Sequence, residues 1–403
     1  MRQALLVSVA ASRSALAPDL ELLADLARAG GRLGIDTEFV SEGRYLPLLC
    51  LVQIAVPDPS AVSGVRVELL DPMAASAPDP QPLAAVLADA SIEVVMHAGR
   101  QDVAILSREW RTSVRCLFDT QVGAAFAGLG AQLGLTALVG ALLDRRAARS
   151  ASFTRWDARP LDEEQLAYAR DDVVHLIALA DALHERLDGS GRLEWAREEC
   201  RRLEHSSDER NPETAYRRLP RVARLNGRQR AVARELAAWR ERTAAAENRP
   251  LGSVLGDAQL VELASRQPTT TDQLRQTRGL HPPTLRRRGD ALLEAIARGL
   301  AAPPLAREDD ERPPPSAGLA PLISLSEALV RARVAEAAIA YELVATRADL
   351  QAIAQCSRSG APEPSVRTLT GWRRELVGAE LLELLAGHRS LSIERGALRV
   401  RDV

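Results

Sequence analysis

The stretch GIDTEFV, residues 34–40, places two carboxylates, Asp36 and Glu38, at i and i+2 in a run that otherwise reads as a buried strand. Strand side chains alternate faces, so this spacing turns both acids to one side, where they repel each other unless positive charge lies between them. The pair asks for a cation. In IEVVMHAGRQDVAIL (92–106) an apolar run passes through His97, Ala98 and Gly99 into a helix whose first turn holds Asp102. An acid there is ordinary complementation of the helix dipole when taken alone. In DEEQLAYARDDVVHLIAL (162–179) Tyr168 and Asp172 stand four apart on a strong helical pattern. They are offset by about 40° around the axis and share a face; Asp171 lies about 60° to the other side, so geometry alone leaves the choice between the aspartates open. Standing alone, this segment reads as a solvated acidic helix.

These acids need elements to carry them. The first half alternates strand-like and helix-like runs: ALLVSVA, DLELLADLARA, RLGIDTEFV, LLCLVQIAV, VRVELLD, PLAAVLAD and IEVVMHA. That interleaving indicates an α/β layer fold, with the three close-set runs over 33–71 suited to an antiparallel meander. The run ALLVSVA (4–10) reads as a first strand rather than a signal peptide, since it is short and led by one Arg. From about residue 120 onward nearly everything reads as helix. EHSSDERNPETAYRRLPR (204–221) suits a connector, and APPLAREDDERPPPSAG (302–318) is too rich in proline and charge to pack a core. Helical blocks are expected over 222–301 and 319–403, and both carry a Trp-Arg pair, Trp239-Arg240 and Trp372-Arg373, which hints at distant repetition.

The chain has 403 residues, 46% of them hydrophobic, enough for two or three cores. No run approaches the roughly 20 apolar residues of a membrane span, so a cytoplasmic location is expected. The cysteines, Cys50, Cys116, Cys200 and Cys356, lie far apart with no CxxC; buried free thiols are expected, not a zinc site or a disulfide framework. Every basic side chain apart from histidine is Arg, so an abundance of Arg is not itself a sign of nucleic-acid binding. Distribution says more. Residues 1–216 hold 22 Arg against 32 acids, residues 217–300 hold 17 against 8, and residues 301–403 hold 13 against 14. The middle block is basic and the first acidic.

Taken in order, DxE on a strand, HAGxxD at a strand-to-helix junction and YxxxD on a later helix resemble the DEDD exonuclease superfamily in its tyrosine subtype, and within it the ribonuclease D family. GIDTEF, VVMHAGRQDVAIL followed by LFDTQVGAAFAG, and RWDARPLDEEQLAYARDDVVHL carry the resemblance, over roughly residues 30–180. It implies a ribonuclease H-like α/β exonuclease domain over 1–212, with a mixed five- to six-stranded sheet flanked by helices, and a linker at 213–221. It also implies two divalent metal ions, Mg²⁺ or Mn²⁺. Asp36 would bridge both, Glu38 and Asp172 would complete the first site, and Asp102 would hold the second through water. Tyr168 would position or help deprotonate the attacking water. The family pattern, not the spacing, selects Asp172 over Asp171. Two hard cations can stabilise both the attacking and the leaving oxygen of an in-line displacement at phosphorus, and carboxylate oxygens are the ligands they take. A metal between Asp36 and Glu38 would answer the opening pair.

Further along, RELAAWRERTAAAENRPLGSVLGDAQLVELASRQPTTTDQL and RRRGDALLEAI resemble the HRDC domain, over 222–301. LVATRADLQAIA and LTGWRRELVG resemble a second, degenerate HRDC-like domain over 319–403, which makes both C-terminal blocks all-α; the Pro-rich acidic segment 302–318 links them. In the basic block Arg286, Arg287 and Arg288 are candidate phosphate contacts. The last block, near neutral, is expected to serve packing or substrate gating. Where the family places a Lys and an Asp before Trp156, this chain has Arg149 and Arg155; Arg149 keeps a cation with different geometry. His97 is a candidate for substrate contact or for an orienting hydrogen bond, Asp119 reads as a helix cap and His175 as a packed structural histidine. The implied activity is 3′–5′ exonucleolytic trimming of RNA with a single-stranded 3′ end, tRNA precursors included, releasing nucleoside 5′-monophosphates. No obligate protein partner is inferred. Two other readings remain: a DNA exonuclease with the same acids, which cannot by themselves sense a 2′-hydroxyl, and a non-catalytic RNA-binding protein.

Overall fold

The computed structural model describes residues 18–145, 155–306 and 318–403. The run ALLVSVA, Arg149 and most of the second linker lie outside the described residues. Among the described residues, the alternation of the first half yields a five-stranded sheet in the order β3-β2-β1-β4-β5. Its strands are β1 (Arg32–Val40), β2 (Leu48–Pro57), β3 (Val65–Leu70), β4 (Glu93–Met96) and β5 (Leu117–Asp119). β1 with β4 and β4 with β5 run parallel, while β2 and β3 run antiparallel, so the sheet is mixed as expected.

Both faces are covered. On one, α1 (Leu20–Gly30), α2 (Gln81–Leu87) and α3 (Arg100–Glu109) share a core with Leu33, Ile35, Val52, Ile54 and Val94. On the other, Ala55, Val95 and Phe118 meet α4 (Thr120–Phe126), α5 (Leu135–Leu143), α6 (Glu163–Val174) and α7 (Leu176–Gly189), with α8 (Leu193–Leu203) following. Since Leu33 and Ile35 face the first layer, alternation turns Gly34, Asp36 and Glu38 toward the second.

Residues 40–48 and the described residues from 208 to 306 form a second compact unit. Its helices are α9 (Gly227–Glu247), α10 (Leu251–Val254), α11 (Asp257–Arg266), α12 (Thr271–Arg275) and α13 (Pro282–Ala301). Asn226 and Gln229 close a capping box at the start of α9, and Leu236, Leu260, Leu263, Leu292 and Ile296 fill the core.

The C-terminal block departs from expectation twice. It begins with helices α14 (Leu319–Ala337), α15 (Tyr341–Val344) and α16 (Arg347–Ser359), then a helix over 371–385 whose middle turn, Arg374–Gly378, is π-wound. The chain then forms an antiparallel hairpin, β6 (Arg389–Glu394) and β7 (Ala397–Asp402), so the block is not all-α. Period-two alternation in SLSI and LRV, and a two-residue turn with φ of 51° at Arg395 and 78° at Gly396, favour the hairpin over helix. The block also shares its core with the α/β layers instead of closing on itself. Trp372, 1% exposed, lies edge-on to Phe126 at 4.8 Å and stacked on Trp195 at 5.5 Å between ring centroids. Its neighbour Arg373 is buried, 2.7 Å from Glu199, and donates to the Leu343 carbonyl at 2.6 Å. Trp372→Ala is expected to destabilise this unit by about 3–5 kcal/mol, read as a lower midpoint in urea unfolding.

The two Trp-Arg pairs are not counterparts: Trp239 lies within α9, Trp372 at the start of the helix over 371–385. Repetition resides elsewhere. α9 and α14 each end in a left-handed residue, Asn248 (φ 45°) and Ala338 (φ 49°). After each come a one-turn helix and then a further helix, α10–α11 and α15–α16, at the same spacing. None of the four cysteines is in a disulfide; Cys50 and Cys200 are buried, Cys356 half-buried and Cys116, contrary to expectation, exposed. Among the described residues no helix is long and apolar enough to cross a membrane.

Candidate active site

Three local devices deliver the acids. The first is the DxE alternation of β1. The second follows β4, where the chain turns at Ala98 (φ 56°) and Gly99, whose place no larger residue can take because a Cβ there would lie 2.6 Å from the Met96 side chain. α3 starts at this turn with Asp102 in its first turn. Asp119 closes β5 and does more than the cap expected of it. Its carboxylate accepts from Gln121 (2.8 Å) and Val122 (3.2 Å) in α4, and from Ala98 (3.2 Å) and Gly99 (2.8 Å) in the turn before Asp102. The third device precedes α6. Arg159 grips Asp71 with two bonds of 2.7 and 2.8 Å and donates to the Cys50 carbonyl at 2.7 Å, and an Asp162–Gln165 capping box then starts the helix that carries Tyr168 and Asp172.

These elements surround a cleft of about 520 Å³ lined by Asp36, His97, Tyr168, Asp171, Asp172 and the chain entering α5. Tyr168 hydrogen-bonds to Asp172, the contact that the sequence left open between the two aspartates. Glu38 and Asp102 are not among the lining residues, yet both raise the pKa of Asp36. Asp102, 7% exposed, accepts from the Thr37 hydroxyl.

The electrostatics are those of acids crowded together. Burial, then the charges of Asp102, Asp172 and Glu38, hold Asp36 well above the usual carboxylate range. Burial, then Asp172 and Asp102, push Glu38 up to about 8. Asp172 is pushed up to about 7, by burial first, against the hydrogen bond from Tyr168. Asp102 is raised by burial despite the Thr37 bond. The Tyr168 hydroxyl is raised above its ordinary value by burial and by Asp172 and Glu38, which keeps it a donor. His97, held by Thr120 at 2.9 Å and lowered by burial, is neutral at neutral pH. Among the described residues, no Arg lines the cleft.

The donor set fits a divalent cation, because hard oxygens in mutual repulsion are what such an ion relieves. Among the described residues no three His, Cys, Asp or Glu side chains close into a ready-made metal cage. An ion held here would complete its shell with water and phosphate oxygens, as Mg²⁺ does.

The sequence missed Thr37, Gln121 and the entry to α5. Gly134–Ala137 brings the positive end of that helix dipole to the cleft, a favourable place for an anion. Nothing in an apolar nine-residue helix announces this before folding. The remaining candidates lie elsewhere. His175 sits at the junction of α6 and α7. Arg286, Arg287 and Arg288 are on α13 of the other unit. Arg288, 6% exposed, pairs with Glu247 at 2.9 Å, which corrects its reading as a surface phosphate contact. Arg287 is exposed and pairs with the same Glu247 at 3.2 Å; Arg286 is exposed.

A mixed sheet carrying Asp36 and Glu38 on one face of β1, Asp102 on the helix after β4, and a helix presenting Tyr168 and Asp172 define an α/β 3′–5′ exonuclease. Residues 17–188 match the family model described as 3′-5′ exonuclease, and residues 229–296 match that of the HRDC domain. Ribonuclease D of Gluconacetobacter diazotrophicus is 37% identical over 90% of this chain and 89% of its own length. That of Acidiphilium cryptum is 35% identical over 95% of both chains. The crystal structure of Escherichia coli RNase D, described as an exoribonuclease involved in structured RNA processing, superposes with a TM-score of 0.77 at 28% identity, covering 92% of this chain and 96% of that one. The chain belongs to the ribonuclease D family and is a hydrolytic 3′–5′ exoribonuclease.

Proposed function

We propose that Asp36, Glu38, Asp102 and Asp172 hold two divalent ions, Mg²⁺ or Mn²⁺, with Asp36 shared between them. The observation that carries this reading is the single cleft that Asp36, Tyr168 and Asp172 line, with Glu38 and Asp102 acting on Asp36 from beside it. When bound, such ions stabilise the charge on the attacking, leaving and non-bridging oxygens of phosphodiester hydrolysis. Tyr168, a neutral phenol bonded to Asp172, orients the attacking water. The dipole of α5 favours the phosphate, and neutral His97 contributes hydrogen bonding without repelling a neighbouring cation. Water oxygen bonds to phosphorus as the bond to the 3′ oxygen breaks; that oxygen takes a proton, and the terminal nucleotide leaves as its 5′-monophosphate.

The substrate is RNA with a single-stranded 3′ end, of which tRNA precursors are a natural class; the likeness to a structured-RNA exoribonuclease supports this. The basic block at 217–300 supplies phosphate attraction, with exposed Arg286 and Arg287 as its candidate contacts. Arg149 is a further candidate. The shared helix spacing of α9–α11 and α14–α16 supports a second, degenerate HRDC-like module that serves packing. The location is cytoplasmic.

Incubation with 3′-overhang RNA and matched DNA, in Mg²⁺, Mn²⁺ or EDTA, tests the reading: metal-dependent shortening of RNA from its 3′ end supports it, and shortening in EDTA sinks the metal assignment. Tyr168→Phe is expected to lower kcat about 10²-fold with KM little changed, since the ring stays and only the donor goes. A rise in KM matched by an equal fall in kcat/KM, with kcat unchanged, would instead assign Tyr168 to binding.

A further inference from the structure

Gln53 lies in the middle of β2 with 0% exposure, and neither its Nε2 nor its Oε1 has a hydrogen-bond partner among the described residues. A primary amide removed from water without partners is disfavoured, and an apolar residue would serve packing better. The strand around it, LLCLVQIAVP, is otherwise apolar, so packing gives no account of the amide.

Its register does. Only residues 41–47 separate β1 from β2, a hairpin-length connector too short for the crossover that parallel neighbours need, so the two strands run antiparallel. Gly34 stands opposite Ala55: a Cβ on Gly34 would come within 3.3 Å of the Ala55 Cβ. Two residues on from Gly34 and two back from Ala55 are Asp36 and Gln53, directly opposed on the same sheet face. Opposed residues hold their Cβ atoms about 4.5–5.5 Å apart, within reach of a glutamine amide extending toward a carboxylate. Val52 and Ile54, on either side, belong to the other face.

We infer that Gln53 is a positioning residue for Asp36: its Nε2–H donates to the Asp36 carboxylate in the cation-loaded site. The inference rests on the reading of Asp36 as a metal ligand. It assigns the orphaned amide to the loaded state, because a carboxylate engaged by a cation is fixed in direction and its remaining lone pair needs a donor.

The test uses the full chain with Gln53→Met and Gln53→Leu, titrated with Mg²⁺ by calorimetry, with melting temperature in EDTA and KM for RNA measured alongside. The expected result has three parts. Melting temperature in EDTA is unchanged or higher, half-saturating Mg²⁺ rises about 10–100-fold, and KM for RNA stays put. Unchanged Mg²⁺ binding in a folded variant overturns the inference, and so does loss of folding in both, which would make the amide structural. Asp36→Ala separates the two readings. If it still binds Mg²⁺ like the wild type, the assignment of Asp36 fails and this inference with it; if a Gln53 variant alone does so, only this inference fails.

Discussion

Asp36→Ala is expected to lower kcat for RNA shortening on the order of 10³-fold or more, and at the same time to raise the melting temperature of the metal-free protein. The two effects have one cause. Asp36 sits among Asp102, Asp172 and Glu38, its pKa driven up by burial and by their charges, so ionising it in the folded chain is costly without a cation. Alanine removes that repulsion and removes the shared ligand together. The measurement is a single-turnover assay on end-labelled RNA beside thermal unfolding in EDTA. A variant that loses activity and also melts lower would mean that Asp36 supports the fold, not a cation, and the site reading would fall.

The second expectation is a pH-dependent exchange of protons for metal. Glu38 titrates at about 8 in the folded protein against an ordinary 4.5, and Asp172 at about 7 against 3.8. Both folded values are raised, so the sign is opposite to that of a salt-bridged carboxylate. Their contribution to stability is fully present below about pH 4, where the unfolded chain is also protonated, and is lost as pH rises through 7 and 8. In EDTA these groups should therefore weaken the fold progressively toward alkaline pH. Mg²⁺ competes with those protons, so its apparent affinity is expected to rise up to tenfold per pH unit for each proton displaced, then level above about pH 8. The metal-induced rise in melting temperature, followed from about pH 5.5 to 8.5, measures this. An affinity flat across that window would show the acids already ionised before any cation arrives.

Both expectations draw on a site whose members were partly visible before any fold was known. Asp36 and Glu38 announced themselves by strand alternation, since period two puts i and i+2 on one face whatever the rest of the chain does. Helical spacing, equally local, put Tyr168 and Asp172 on one face but left Asp171 open as an alternative. HAG before Asp102 marked a turn, and the structure shows why: Ala98 takes a positive φ and Gly99 has no room for a Cβ beside Met96. The composition of the linkers and the basic charge of 217–300 were likewise properties of the chain alone.

What the sequence by itself determined is the set of residue types, their faces and the family pattern that chose Asp172 over Asp171. Tertiary structure decided what stands opposite what. Only folding brings the entry to α5 to the cleft, ties the turn before Asp102 to Asp119, buries Arg288 against Glu247 and sets Gln53 across from Asp36. Only folding merges 319–403 with the α/β core through Trp372 and Trp195. Periodicity reports the direction of a side chain relative to its own helix or strand. Cross-strand register, interlayer packing and the choice of partner for a buried charge depend on residues far away in the chain, and no local pattern encodes them.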